Sequence, residues 1–290
     1  MGLIINKELP YIEDLKSANI HILFKEDHEK DRNLKVAILN LMPNKEETEF
    51  QLLNALGHST QNVWIDFLYT ASYTPSHINK SYLDKFYKTL SKEDFSDYDG
   101  LIITGAPVEK MDFNEVSYWE ELRDIMNLAF NNLKSTIYIC WAAQAALKHF
   151  YNIDKKLSDK KFFGVYSHEI TFENILTKGI EKNLYAPHSR YSYVDTHDLI
   201  KEEHVTILAD SKDVGPYLIA SHDYKNIMAL GHIEYDKVTL RNEYFRDVAK
   251  GINMKVPDNY FTDNNPDLDI LDLWSNHKKL LFSNWVESLK

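Results

Sequence analysis

Between residues 34 and 151, strand-length apolar runs alternate four times with segments of helical period. The strand runs fall at 34–42, 62–69, 98–104 and 136–140. Pro43 closes the first, and Asn44 with Glu47 resembles a capping box opening a helix through Phe50, Leu53 and Leu56 to Gly57. A polar helix is expected at 82–90, after a stretch rich in Ser, Thr and Pro. Residues 115–133 show helical spacing through Val116, Trp119, Leu122, Ile125 and Met126. A fourth helix follows the fourth strand, to about Tyr151. Neighbouring parallel strands need a crossover between them. This rhythm therefore predicts right-handed βαβ units in an α/β fold, with a mostly parallel central sheet and helices on both faces.

The rhythm changes after residue 152. Short apolar segments at 162–166, 192–195, 205–209, 217–220 and 227–230, with turns between them, predict added antiparallel strands. Helices are expected near 237–250 and 280–289, with polar loops at 256–267. Residues 1–33 read as an N-terminal arm with a short helix at 12–18 and a polar stretch at 25–33. With no internal repeat, the 290 residues read as a single domain, 1–290, of which 34–290 form the α/β core. The formal net charge is −11, and no Lys/Arg cluster is long enough to follow a phosphate backbone, which argues against a nucleic-acid partner. No apolar run approaches spanning length and no basic leader opens the chain, so no membrane association and a cytoplasmic location are expected.

One cysteine, Cys140, cannot form an internal disulfide. It sits where Thr-Ile-Tyr-Ile gives way to Trp-Ala-Ala-Gln-Ala-Ala-Leu. A strand turning sharply into a helix is how α/β enzymes present a nucleophile, with the helix N–H groups and dipole favouring negative charge. The backbone N–H of Trp141 is then the natural oxyanion donor. A thiol needs a base, and His232 has the best setting of the 12 histidines, in Leu-Gly-His-Ile-Glu-Tyr at the end of an apolar strand. If the strand continues, His232 and Glu234 share a face, so the carboxylate can orient the imidazole. The bland alternatives are a buried structural cysteine and a polar pair at a strand end.

Cysteine elbow first and His-x-Glu later resembles the class I glutamine amidotransferase-like (flavodoxin-like) fold. Local sequences narrow this further. Ala37-Ile-Leu-Asn-Leu-Met-Pro-Asn-Lys45, Gly100-Leu-Ile-Ile-Thr-Gly-Ala-Pro-Val-Glu109, Ile139-Cys-Trp-Ala-Ala-Gln144, Ala186-Pro-His-Ser-Arg190 and Leu230-Gly-His-Ile-Glu-Tyr235 resemble the homoserine O-acyltransferases of the MetA type. The resemblance implies that Cys140 holds the acyl group as a thioester, that His232 moves the protons and that Glu234 orients His232. It also implies substrate-binding roles for Lys161, Ser189 and Arg246, the arginine being a bidentate partner for the amino acid's carboxylate. Without the resemblance these three read as a loop lysine, a turn serine and a solvated helix arginine. The family pattern implies acyl-CoA and an amino acid as small-molecule substrates, no cofactor beyond acetyl-CoA as co-substrate, no metal, and a homodimer.

Within that resemblance, the residue after Ala-Pro-Val helps select the donor, a glycine accompanying succinyl-CoA. Here it is Glu109, whose bulk and charge oppose a succinyl carboxylate, so acetyl transfer in methionine biosynthesis is expected. Ala142 stands where relatives of this pattern usually have glycine, which alanine can replace in the first turn of a helix. The alternatives are serine as acceptor or succinyl-CoA as donor, a glutaminase-type hydrolase, and a non-catalytic binding protein. Serine and homoserine differ by one methylene, worth about 1–3 kcal/mol of discrimination.

Overall fold

The computed structural model describes residues 1–31, 33–72, 79–89 and 92–290. In chain order the elements are β1 (Leu3–Ile5), α1 (Ile12–Ser17), β2 (Ile22–Phe24), α2 (Lys25–His28), β3 (Leu34–Leu39), α3 (Lys45–Leu56), β4 (Val63–Leu68), α4 (Lys80–Phe86) and β5 (Tyr87–Lys88). Then come β6 (Gly100–Ile103), α5 (Trp119–Asn132), β7 (Ser135–Ile139), α6 (Trp141–Tyr151), β8 (Lys155–Ile170), β9 (Asn183–Val194) and α7 (Thr196–Lys201). The chain finishes with β10 (Val205–Ser211), β11 (Gly215–Ser221), β12 (Asn226–Ala229), α8 (Thr239–Ala249) and α9 (Ser275–Ser288).

The strands form one sheet in the order β2-β1-β4-β3-β6-β7-β12-β11-β10-β8-β9, with β5 joined to β4. From β2 to β12 every pairing is parallel, and from β12 to β9 every pairing is antiparallel. The central strands are apolar along their length because helices cover both faces. On one face Val36, Ile38, Ile137, Ile227 and Ala229 pack against Leu52 and Leu56 of α3 and Phe282 and Trp285 of α9. On the other, Ala37, Leu39, Tyr138 and Met228 meet Leu122 and Met126 of α5 and Ala145 and Ala146 of α6. Among the described residues no helix is long and apolar enough to cross a membrane.

The expected α/β rhythm is present, with four differences. The supposed arm adds β1 and β2 to the sheet edge and buries Leu3, Ile4, Ile5, Leu9 and Leu15. The polar helix expected at 82–90 is helical only to Phe86; Tyr87 and Lys88 pair with Phe67 and Leu68, and Leu90 lies outside the described residues, as do 73–78 of the stretch before it. Asn44 stands at the N-cap of α3, but its side chain accepts no cap bond and its amide donates instead to Glu47 (2.6 Å). Finally, the segments 162–166 and 192–195 belong to two long paired strands, β8 and β9, interrupted by a bulge. Four residues of β8, 158–161, face Tyr191 alone on β9.

Candidate active site

Cys140 directly follows β7 and stands at the N-cap of α6, at φ 53° and ψ −110°. Its N–H donates to Ala229 O on β12 (2.7 Å), so the elbow is tied to the neighbouring strand. Cys140 is 7% exposed and lies among the buried residues of the core. Trp141 is the first residue of α6, and its N–H is one of those a helix start leaves without an intrahelical acceptor. Ala142 lies in that first turn, in ordinary helix, as its sequence context suggested. The loop after β6 closes the other side: a β-carbon on Gly105 would sit 3.4 Å from Cys140 Cβ and 3.7 Å from His232 Cε1.

His232 and Glu234 do meet, but not by strand alternation. β12 stops at Ala229, and the pair lies in the following turn, closed by Tyr235 N–H donating to His232 O (3.1 Å). The turn brings His232 Nδ1 to Glu234 Oε1 at 2.7 Å, both side chains buried. That bond places the Nδ1 proton toward the carboxylate and leaves Nε2 without it, in a ring whose charge the nearby Cys140 favours. The His232 N–H donates to Pro187 O (2.7 Å), and its ring stacks on Tyr235 at 4.3 Å. Burial disfavours the imidazolium, but the Cys140 sulfur and Glu234 carboxylate outweigh it and hold the His232 pKa well above its ordinary value.

Ser189 and Lys161 converge on a residue that sequence reasoning missed, Glu243. Its carboxylate accepts from Ser189 Oγ (2.6 Å) and Tyr235 Oη (3.3 Å), and pairs with Lys161 Nζ (3.5 Å). Arg246 lies one turn further along α8 and forms a forked pair with Asp247 (2.8 and 3.1 Å) at a half-exposed position. Glu243 and Arg246 share a cavity of about 420 Å³ with Met42, Asn44 and Tyr235. The only sequence signal for Glu243 was its spacing of three residues before Arg246.

Behind the nucleophile, β9 alternates cleanly, and His188, Arg190 and Ser192 are fully buried on one face. Arg190 donates through Nε to His188 Nδ1 (3.1 Å), through Nη2 to Val214 O (2.9 Å) and through Nη1 to Ser192 O. His188 Nδ1 is thus an acceptor, so its Nε2–H points to His168 Nε2 (3.2 Å) and His168 Nδ1–H to Leu184 O (3.3 Å). Burial keeps both rings neutral, pulling His168 down to about 3 and His188 well below its ordinary range. Burial also pulls the Arg190 guanidinium down to about 10, opposed by the charges of Cys140 and Glu109. Glu109 itself accepts from Tyr191 N–H (3.0 Å) and Ser192 Oγ (3.4 Å), and Ser192 Oγ also reaches Gln144 on α6 (3.0 Å).

The surroundings of this site have counterparts in known proteins. A glutamine amidotransferase from Thermotoga maritima superposes with a TM-score of 0.61 over 89% of this chain and 99% of its own, at 12% identity. One from Methylobacillus flagellatus gives 0.53 over 89% and 96%, at 13% identity. These show the fold. Sequence likeness goes further. The homoserine O-acetyltransferase of Clostridium tetani is 43% identical over 291 residues, covering 99% of this chain and 95% of that protein. That of Lysinibacillus sphaericus is 45% identical over 290 residues, covering 99% and 93%. The family model described as homoserine O-succinyltransferase matches residues 2–289, and the chain belongs to that family.

Proposed function

We propose that this chain transfers an acetyl group from acetyl-CoA to the hydroxyl of L-homoserine through a thioester on Cys140, as a cytoplasmic homodimer serving methionine biosynthesis. The observation that carries the reading is Cys140 on an elbow, close to a His232 that Glu234 orients. The Cys140 thiolate attacks the donor carbonyl, with the Trp141 N–H at the developing oxyanion. As the carbon–sulfur bond to CoA breaks, the His232 imidazolium protonates the leaving thiolate. Homoserine then enters, His232 takes its hydroxyl proton, the oxygen attacks the thioester and the Cys140 thiolate returns. No metal or further cofactor takes part in this scheme.

Glu243 and Arg246, opposite charges one turn apart on α8, fit the ammonium and carboxylate of an amino acid, with Lys161 and Ser189 fixing the Glu243 carboxylate. Glu109 near Arg190 already supplies a half-buried carboxylate, which favours an uncharged acetyl group over succinyl. The acetyltransferase names of the relatives support the same choice. Mass spectrometry after incubation with acetyl-CoA should find the adduct on Cys140, and Cys140→Ala should form none. Kinetics with acetyl-CoA or succinyl-CoA against homoserine or serine should give the highest kcat/KM for acetyl-CoA with homoserine, in ping-pong form. Glutamine hydrolysis without an acetyl adduct would establish the glutaminase reading instead.

A further inference from the structure

A second cavity, of about 650 Å³, opens between the β8–β9 hairpin and the loop at 253–264, and the proposed acyl-transfer scheme leaves it unused. It shares Lys161 with the active site. A chain of direct contacts links its rim to the base: Lys161 pairs with Glu243, Glu243 accepts from Tyr235, and Tyr235 stacks on His232. The Lys161–Glu243 pair thus stands between this cavity and the one holding Arg246.

The β8 bulge builds the rim. Residues 158–161 leave the ladder opposite Tyr191, which places exposed Lys160 and half-buried Lys161 at the opening. Bulges beside active sites re-aim side chains in this way. Lys255 stands on the opposite loop, and Phe162 and Tyr191 supply aromatic walls. In a chain of net charge −11, the run Lys155-Lys-Leu-Ser-Asp-Lys-Lys161 is a local concentration of positive charge. Three aspartates also line the cavity: Asp258 is occupied by Lys255 (2.5 Å) and the Tyr166 hydroxyl (2.9 Å), while Asp159 and Asp213 temper the field.

An acyl-CoA carries its reactive carbonyl at the end of a long arm whose far end is an adenine nucleotide with three phosphates. The acceptor is a small zwitterion suited to Glu243 and Arg246, so the donor's tail needs a separate berth next to the same nucleophile. We propose that this cavity binds the phosphorylated adenosine end of the thioester donor, with Lys160 and Lys255 meeting phosphates and Tyr191 and Phe162 offering faces to the base or the arm. The inference rests on the acyl-transfer reading for its choice of ligand.

The test compares two donors. Lys160→Glu and Lys255→Glu, both exposed positions outside the catalytic machinery, should each raise the KM for acetyl-CoA about fivefold, as suits partly screened surface contacts. The KM for S-acetyl-N-acetylcysteamine, which lacks the nucleotide, and the KM for homoserine should stay unchanged. An unchanged KM for acetyl-CoA in the double variant, or an equal rise for the truncated donor, overturns the proposal. Calorimetry with adenosine 3′,5′-bisphosphate reads the berth without any turnover. Binding by the parent protein that both variants weaken supports it even if acetyl transfer fails, and no binding by the parent overturns it even if acetyl transfer succeeds.

Discussion

Cys140 holds backbone angles that glycine tolerates and a β-carbon does not, at a cost of about 1–3 kcal/mol. Presenting the sulfur therefore works against stability. Cys140→Gly should abolish acetyl transfer while raising the urea midpoint by the equivalent of about 1 kcal/mol; a lower midpoint would show that the elbow is unstrained. The base carries a second consequence. Two neighbours favour the protonated His232, and in the proposed scheme acylation removes one of them by neutralising the sulfur. The imidazole of the acyl-enzyme should then release its proton at lower pH than that of the free enzyme, turning an acid into a base when homoserine arrives. Rapid-quench measurement of the two half-reactions should show deacylation rising with pH through a lower midpoint than the one at which acylation falls. Identical midpoints would contradict this. The grouping of Cys140, His232 and Glu234 was legible because each lies in a short contiguous motif. Glu243 and Arg190 were not, since their meaning comes from what the fold sets beside them: Ser189 and Lys161 for one, Glu109 and His188 for the other.

Elements were legible where apolar runs were long. β3, β4 and β6 fall inside their expected runs, β7 is shifted one residue from its own, and α5 lies inside its periodic stretch. β1 and β2 are three residues each, too short for alternation to register, and they exist as strands because β4 offers an edge. The polar start of β8 was hidden for a related reason, since Ser158 through Lys161 leave the ladder and carry no strand pattern. One charged cluster ties this edge together. Asp66 of β4 pairs with Lys25 of α2 (2.5 Å) and Lys88 of β5 (3.1 Å), and accepts from Tyr98 (2.7 Å). Burial alone would raise its pKa, but these partners outweigh burial and hold it down to about 2. A carboxylate depressed in the folded state stabilises above its unfolded pKa and loses that contribution as pH falls toward the folded value. Asp66→Asn should therefore cost about 2 kcal/mol near pH 6, and the gap from the parent should close between about pH 4 and pH 2. A gap constant over that range would mean that Asp66 acts by packing alone.

Across the whole molecule, the first 24 residues belong to the core. Leu3, Ile4, Ile5, Leu9 and Leu15 are fully or nearly fully buried, and the Tyr11 hydroxyl donates to the buried Glu49 of α3 (2.5 Å). At about 2 kcal/mol each, the five side chains contribute about 10 kcal/mol, which rivals the total stability of about 5–15 kcal/mol expected for a folded protein. Deleting residues 1–24 should leave a chain without cooperative thermal unfolding by circular dichroism; a sharp transition near the parent's would refute this. The sheet changes from parallel to antiparallel at β12, whose neighbour β7 leads into Cys140 and whose own end leads into His232. Two adjacent strands of the ladder, about 4.8 Å apart, thus deliver both residues to the buried middle of the sheet. Catalytic competence is consequently indivisible from the integrity of the middle of the sheet. The β9 strand shares in this, because Pro187 O holds the His232 N–H, and loss of acetyl transfer in denaturant should follow the unfolding of these central strands.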